Sequence, residues 1–283
     1  MNKALVFGGT RFFGKKLVEV LINNGYDITI ATRGIKKDNF GDKVKRIIVD
    51  RDDENALIEV FKDKSFDVIY DNICYSPNGA KYTCNVFKDK VSKYIFTSTL
   101  SAYDAGLDLK EEDFDPYSYK IKYGKRDDFD YGEAKRLAET VFFQEANFPV
   151  IAVRFPVVIG EDDYTERLIS YANYISKGET FYVDNLESPM SFITSKEAGE
   201  FLYWISTKDF RGPINACCNG TVKIKEIIKF CEEKYNKKWI STEDNNEKPG
   251  AFNGFFKNTL DNKKARELGF NFKNVVEETK KLI

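Results

Sequence analysis

The sequence predicts an α/β fold, a doubly wound parallel sheet with a smaller C-terminal lobe. Three observations predict it. Short β-rich apolar runs alternate with helical patterns through the first half, as crossover connections between parallel strands require. The first of these runs ends in a glycine-rich turn, Gly8-Gly9-Thr10-Arg11-Phe12-Phe13-Gly14, that opens a helix. From about Val157 the alternation loosens, which marks a change of architecture.

Strands are expected at 4–7, 28–32, 46–49, 67–71, 94–98 and 150–154, with helices at 13–23, 55–62 and 132–145. Asn24-Gly25 is a helix stop before the second strand. Further helices are expected at 165–177, 197–206, 224–234 and 262–268, and the polar stretch 241–258 reads as an exposed loop. These elements divide the chain into a nucleotide-binding domain over 1–156, which also takes strands from about 190–217, and a lobe over 157–283 that mainly binds substrate.

Composition narrows the chemistry. Of the 283 residues 42% are apolar, with 24 Phe and 16 Tyr, enough for a packed interior. Lys plus Arg (44) and Asp plus Glu (45) nearly cancel, so no strong field draws nucleic acid or an anionic membrane. No apolar run is long enough to span a membrane, and the opening stretch is too short for a signal peptide. The five cysteines lack C-x-x-C spacing and read as the free thiols of a cytoplasmic protein. The chain contains no histidine, which removes Ser-His-Asp and Cys-His catalysis and every His-ligated metal. No metal is expected, and acid–base work must fall to Tyr, Lys, Asp, Glu or Cys.

In the glycine turn, Gly8 permits the tight bend and Gly14 lets helix and strand pack closely. Thr10, Phe12 and Phe13 complete a cradle in which a helix N-terminus offers N–H groups to a pyrophosphate. Strand, turn and helix together predict a Rossmann-like site for a nicotinamide dinucleotide. Arg11 occupies the middle glycine position and is expected to point outward over the adenosine side. Thr32-Arg33 ends the second strand where an acid for the ribose 2′-hydroxyl normally stands. An arginine there matches a 2′-phosphate, so NADP is expected in preference to NAD. Asp50 is a candidate for the adenine amino group, and Arg51, Asn72, Thr97 and Phe155 are further cofactor-side candidates.

Tyr131-Gly132-Glu133-Ala134-Lys135 places Tyr and Lys four apart on one helix face. A phenol is a poor base at neutral pH, and the Lys135 ammonium is expected to lower its pKa and to reach ribose hydroxyls. The strand at 94–98 runs into hydroxyls, and Thr99 is placed to hold a substrate oxygen beside Tyr131.

The spacing continues to Glu139, and Arg154-Phe155-Pro156 closes the next strand. Ser191-Phe192-Ile193, Asn215-Ala216 and the run from Leu260-Asp261 to Leu268-Gly269 follow as landmarks. With them the sequence resembles, over nearly its whole length, the extended and atypical short-chain dehydrogenase/reductases of the NAD-dependent epimerase/dehydratase family. The resemblance implies a catalytic triad of Thr99, Tyr131 and Lys135. The Gly-Gly-Thr-Arg-Phe-x-Gly form is most similar to a branch that includes chloroplast stem-loop-binding proteins and bacterial relatives, some of which bind RNA.

Three departures from the sugar-nucleotide epimerases weigh against a UDP-sugar. Val157 stands where those enzymes carry Asn, the segment 74–92 is short, and Asp71-Asn72 replaces small residues beside the cofactor. The stretch 160–167 should line the substrate cleft. Ser101, Val157, Asp163 and Arg167 are the candidate substrate contacts, with Asp162 or Asp163 suited to hydroxyls and Arg167 to a phosphate or carboxylate. The expected function is an NAD(P)-dependent oxidoreductase or epimerase acting on a hydroxyl or carbonyl of a small molecule, sugars included. The alternative is a non-catalytic nucleotide-sensing or RNA-binding relative. A homodimer through helices flanking the sheet is expected by family analogy.

Overall fold

The structure, a computed structural model, describes residues 1–242 and 248–283. The first half carries β1 (Lys3–Phe7), α1 (Phe12–Asn23), β2 (Asp27–Thr32), β3 (Lys45–Ile48), α2 (Glu54–Phe61), β4 (Phe66–Asp71), α3 (Pro77–Val86) and β5 (Val91–Thr99). A short β6 (Gly106–Leu109) precedes α4 (Tyr131–Glu145) and β7 (Val150–Phe155). Next come β8 (Val157–Ile159), α5 (Arg167–Lys177), β9 (Thr180–Phe181), β10 (Pro189–Met190), β11 (Phe192–Thr194) and α6 (Ser195–Ser206). The chain ends with β12 (Gly212–Asn215), β13 (Val222–Lys223), α7 (Ile224–Tyr235), β14 (Ile240–Ser241), β15 (Asn258–Leu260), α8 (Lys263–Glu267) and α9 (Val275–Leu282).

Seven strands form one parallel sheet in the order β12-β7-β5-β4-β1-β2-β3. The order reverses between β1 and β4, so their carboxyl ends flank a crevice, where ligands enter sheets of this kind. Side chains alternate across the sheet as strand geometry dictates. Ala4 and Val6 pack toward α1 and α6, and Leu5 and Phe7 toward α2, α3 and α4. Burial on both faces is why β1 reads as a continuous apolar run. Helix α6 approaches α1 closely at Gly199, where a Cβ would stand 2.7 Å from the Leu17 nitrogen.

The six expected strands are present, and the structure adds features the pattern did not show. Helix α3 lies in the segment 74–92, where no helix was expected; Ser76 caps it by accepting from the Gly79 N–H, and Pro77 opens it. Strand β11 pairs with β8 rather than joining the large sheet, to which the second half contributes β12. Strand β6, from within 1–156, joins a sheet ordered β13-β10-β15-β6. Helix α5 starts at Arg167 and not at 165, because Glu166 takes a left-handed conformation with φ 53°. Of the stretch 241–258, residues 243–247 lie outside the described residues. The remainder is not a wholly exposed loop: Phe252 is fully buried, its ring stacked on Tyr171.

The lobe has its own core, in which Leu168, Tyr171 and Ile175 of α5 meet Ile224, Ile227, Ile228 and Cys231 from α7. All five cysteines are free and buried. Among the described residues, no helix is long and apolar enough to cross a membrane.

Candidate active site

Two adjoining cavities open at the carboxyl ends of the central strands. A groove of about 430 Å³ runs over the glycine turn, and a chamber of about 330 Å³ lies beside it. Phe12, Phe13, Asn72, Tyr75 and Tyr164 line both.

The turn has no room for side chains where it is tightest. Gly8 sits at φ +76°, and a Cβ on Gly14 would lie 2.0 Å from the Gly8 carbonyl oxygen. No side chain caps α1, so the first-turn N–H groups remain available to a ligand. Asn72 stands beside this turn. Its Oδ1 accepts from the Thr97 hydroxyl at 2.8 Å, while its buried Nδ2 has no hydrogen-bond partner.

Arg11 lines the groove and is exposed, as expected, yet its guanidinium is not left free in solvent. It crosses to the lobe and lies 4.0 Å above the ring of Tyr164, a geometry worth about 0.5–1 kcal/mol where exposed. Thr10 also lines the groove. Arg33 and Asp50 line its far end and are exposed. Arg51 departs from expectation more strongly. Its guanidinium is buried, with Nη2 2.6 Å from Asp71 and 2.8 Å from the Thr83 hydroxyl. Asp71 also accepts from the Tyr94 hydroxyl. Arg51 thus touches the groove from below, and Asp71 neutralises this buried cation.

Helix α4 delivers the reactive groups. Asp130 caps it through the Glu133 N–H at 2.8 Å, and the helical period then sets Tyr131, Lys135 and Glu139 along one stripe. Tyr131 and Thr99 line the chamber together. Half of the tyrosine surface faces the cleft, yet its hydroxyl end is crowded by protein, and this desolvation raises its pKa. The Thr99 hydroxyl and the charges of Arg167 and Arg126 pull it partway back. The expectation that Lys135 would leave Tyr131 with a lowered pKa is therefore corrected: burial outweighs the favourable charges.

Lys135 forms the floor. Its Nζ donates to the carbonyls of Cys74 at 2.9 Å and Thr97 at 2.5 Å, bridging the connection after β4 to β5. Burial pushes its pKa down to about 8. Glu139 faces away from the chamber, accepting from Ser98 Oγ and pairing with Arg154. Together they tie α4 to β5 and β7.

Ser101, Val157, Arg167 and Phe155 line the chamber, as does Thr97. Asp163 does not. Its carboxylate turns back to accept from the N–H and hydroxyl of Thr165, and Asp162 is taken by the Ser195 hydroxyl. The acids suited to substrate hydroxyls are thus spent on the turn before α5, leaving Arg167 as the charged contact from this stretch. Sequence reasoning missed Tyr75 and Arg126, whose guanidinium lies 4.9 Å from the Tyr75 ring. Arg126 sits in a run of charges that reads as solvated surface. Tyr164 lies in the stretch 160–167 expected to line the cleft and does so, whereas Met190, Phe255 and Asn258 were missed.

The sequence profile described as the NAD dependent epimerase/dehydratase family matches residues 4–217. A UDP-glucose 4-epimerase from Thermotoga maritima, solved with UDP-glucose, shares the fold with a TM-score of 0.77 at 20% identity, over 99% of this chain and 96% of that one. A UDP-N-acetylglucosamine 4-epimerase from Bacillus cereus gives 0.73 at 19% identity, over 100% and 99%. A dTDP-glucose 4,6-dehydratase from Bacillus anthracis in complex with NAD gives 0.74 at 14% identity, over 100% and 96%. A curated relative, the chloroplast stem-loop binding protein of 41 kDa b of Arabidopsis thaliana, is 28% identical over 133 residues. That match covers 41% of this chain and 35% of the relative.

Proposed function

Because the chain belongs to the NAD-dependent epimerase/dehydratase family, we propose that it is a nicotinamide-dependent oxidoreductase or epimerase working at a hydroxyl or carbonyl carbon through Thr99, Tyr131 and Lys135. One observation carries the reading: Tyr131, Thr99 and Lys135 line a single chamber that adjoins the groove over the glycine turn. The solved relatives named with NAD and UDP-glucose support a nicotinamide cofactor and a hydroxylated, sugar-type substrate.

The groove suits a dinucleotide in three respects. Side chains are excluded at Gly8 and Gly14, α1 has no side-chain cap, and the buried Asn72 Nδ2 lacks a partner. Thr10, Phe12 and Phe13 would cradle the pyrophosphate, with Asp50 on the adenine side and Arg33 near a 2′-phosphate. When bound, the nicotinamide supplies hydride transfer. Lys135 has two of its three N–H groups on carbonyls, which leaves one for a ribose hydroxyl. Thr99 orients the substrate oxygen, and the Tyr131 hydroxyl gives or takes the proton there.

Arg33 lines the groove, and no ion pair involves it among the described residues. NADP(H) is therefore expected to bind more tightly than NAD(H). In paired titrations, Arg33→Ala is expected to cost NADP(H) about tenfold and NAD(H) less than about twofold. Tighter binding of NAD(H) by the unmodified protein overturns the preference.

The Lys135 ammonium is complete below about pH 8 and is lost as pH rises through that value. The kcat/KM profile, which reports the free enzyme, is therefore expected to fall on its alkaline side from about pH 8. A flat profile up to about pH 10 removes Lys135 from this role. Stability moves the other way: between about 8 and 10.5 the unfolded chain holds more protons at this residue, so its contribution rises with pH.

A further inference from the structure

The chamber has a sign. Its lining includes Lys135 and Arg167 but no Asp or Glu among the described residues. Lys135 is committed to the floor through two carbonyls. Arg167 is not committed in this way. Its one side-chain hydrogen bond runs from Nε to the Thr165 hydroxyl at 3.1 Å, and no carboxylate pairs with it among the described residues. Glu166, the acid next to Arg167 in sequence, is exposed and forms no ion pair with it among the described residues, and Asp163 is turned onto Thr165. A guanidinium with its terminal nitrogens free is built for bidentate contact with a carboxylate or phosphate.

Size adds a second constraint. At about 330 Å³ the chamber lies near the lower end of the roughly 300–1,000 Å³ usual for ligand pockets. The reactive end of the cofactor must share it, since Thr97 and Lys135 are part of its wall. Val157, Met190 and Phe255 give another part of that wall an apolar surface. The space suits something the size of a monosaccharide.

We propose that the substrate is a compact hydroxy- or oxo-compound bearing one oxyanion group, held by Arg167 within reach of Tyr131, and not a nucleotide-linked sugar. The proposal rests on the reading of the site given above and names its substrate class. The bound oxyanion offsets the Arg167 charge that otherwise favours the phenolate, so Tyr131 keeps its proton, ready to donate it to a carbonyl oxygen.

The test is calorimetry on the NADPH-saturated protein with glucose 6-phosphate, gluconate, glucose and UDP-glucose as probes. At least one of the two small anions is expected to bind about tenfold or more tightly than glucose, and Arg167→Gln to erase that margin. Arg167→Lys is expected to restore part of it, as a point charge without the fork. The better of glucose 6-phosphate and gluconate tells phosphate from carboxylate. Equal binding of glucose, a margin that survives Arg167→Gln, tighter binding of UDP-glucose, or no binding of either anion overturns the proposal. NADPH binding is read separately by its fluorescence, so failure of the cofactor reading and failure of the anion site are distinct results.

Discussion

Replacing Tyr131 by Phe is expected to lower turnover by about 10²–10⁴-fold, the range that a positioned proton-transfer group supplies. The substitution removes one oxygen and keeps the ring that packs near Tyr75, with centroids 6.3 Å apart. Helix α4 keeps its Asp130 cap and the Lys135 anchor, so cofactor affinity is expected to stay within about twofold. Initial rates and NADPH titration on the same preparation make the comparison. A variant with undiminished turnover removes Tyr131 from the chemistry. A parent protein that binds cofactor yet turns over no hydroxyl or carbonyl compound returns the alternative of a nucleotide-sensing or RNA-binding relative.

The second large effect is on stability. Arg154 and Glu139 are fully buried, 2.5 Å apart. Arg154 also donates to the Tyr103 hydroxyl and to the carbonyls of Glu111 and Phe114. Glu139→Ala leaves a guanidinium in the interior without its counter-charge, and arginine cannot escape by losing its proton. A loss of about 3–5 kcal/mol is expected, read from urea unfolding at matched pH. Glu139→Gln keeps one acceptor oxygen for Arg154 and the side-chain shape, and is expected to lose less. A loss below about 1 kcal/mol for Glu139→Ala shows that the pair is not isolated from water.

Much of this was legible in the sequence, for identifiable reasons. A strand buried on both faces carries a near-continuous apolar run, so β1, β4, β5 and β7 announce themselves through 4–7, 68–70, 94–96 and 150–153. Gly8 takes a positive φ with Ile73 packed against it, and Gly14 meets the Gly8 carbonyl oxygen, so only glycine fits either place. Residues four apart on a helix share a face, which ties Tyr131 to Lys135 from the sequence itself. What stayed hidden depends on distant parts meeting. Helix α3 contains Asn78, Gly79 and Thr83, weak helix formers whose place is set by packing on α4. Arg51 and Asp71 are twenty residues apart, and nothing local shows that one neutralises the other. Asp162 and Asp163 look free for a ligand until the fold brings Ser195 to one and turns the other onto Thr165. The direction of the Tyr131 shift is a balance between burial and cations contributed by two segments far apart in sequence, at Arg126 and Arg167.

The seat of α6 on α1 and the place of β12 at the sheet edge bear on how the chain can be divided. Residues 195–215 supply the cover for one face of the nucleotide-binding half and its outermost strand. Asn215 then accepts from Tyr103 and donates to the carbonyls of Leu109 and Asp261, stitching three distant segments together. A fragment cut after Phe155 would bare the apolar side of α1 and an open strand edge on β7, both hazards for aggregation. The two halves are thus not interchangeable modules. Any graft of this lobe onto another nucleotide-binding sheet must carry residues 195–215 with the sheet, whatever the order in which the ribosome makes them.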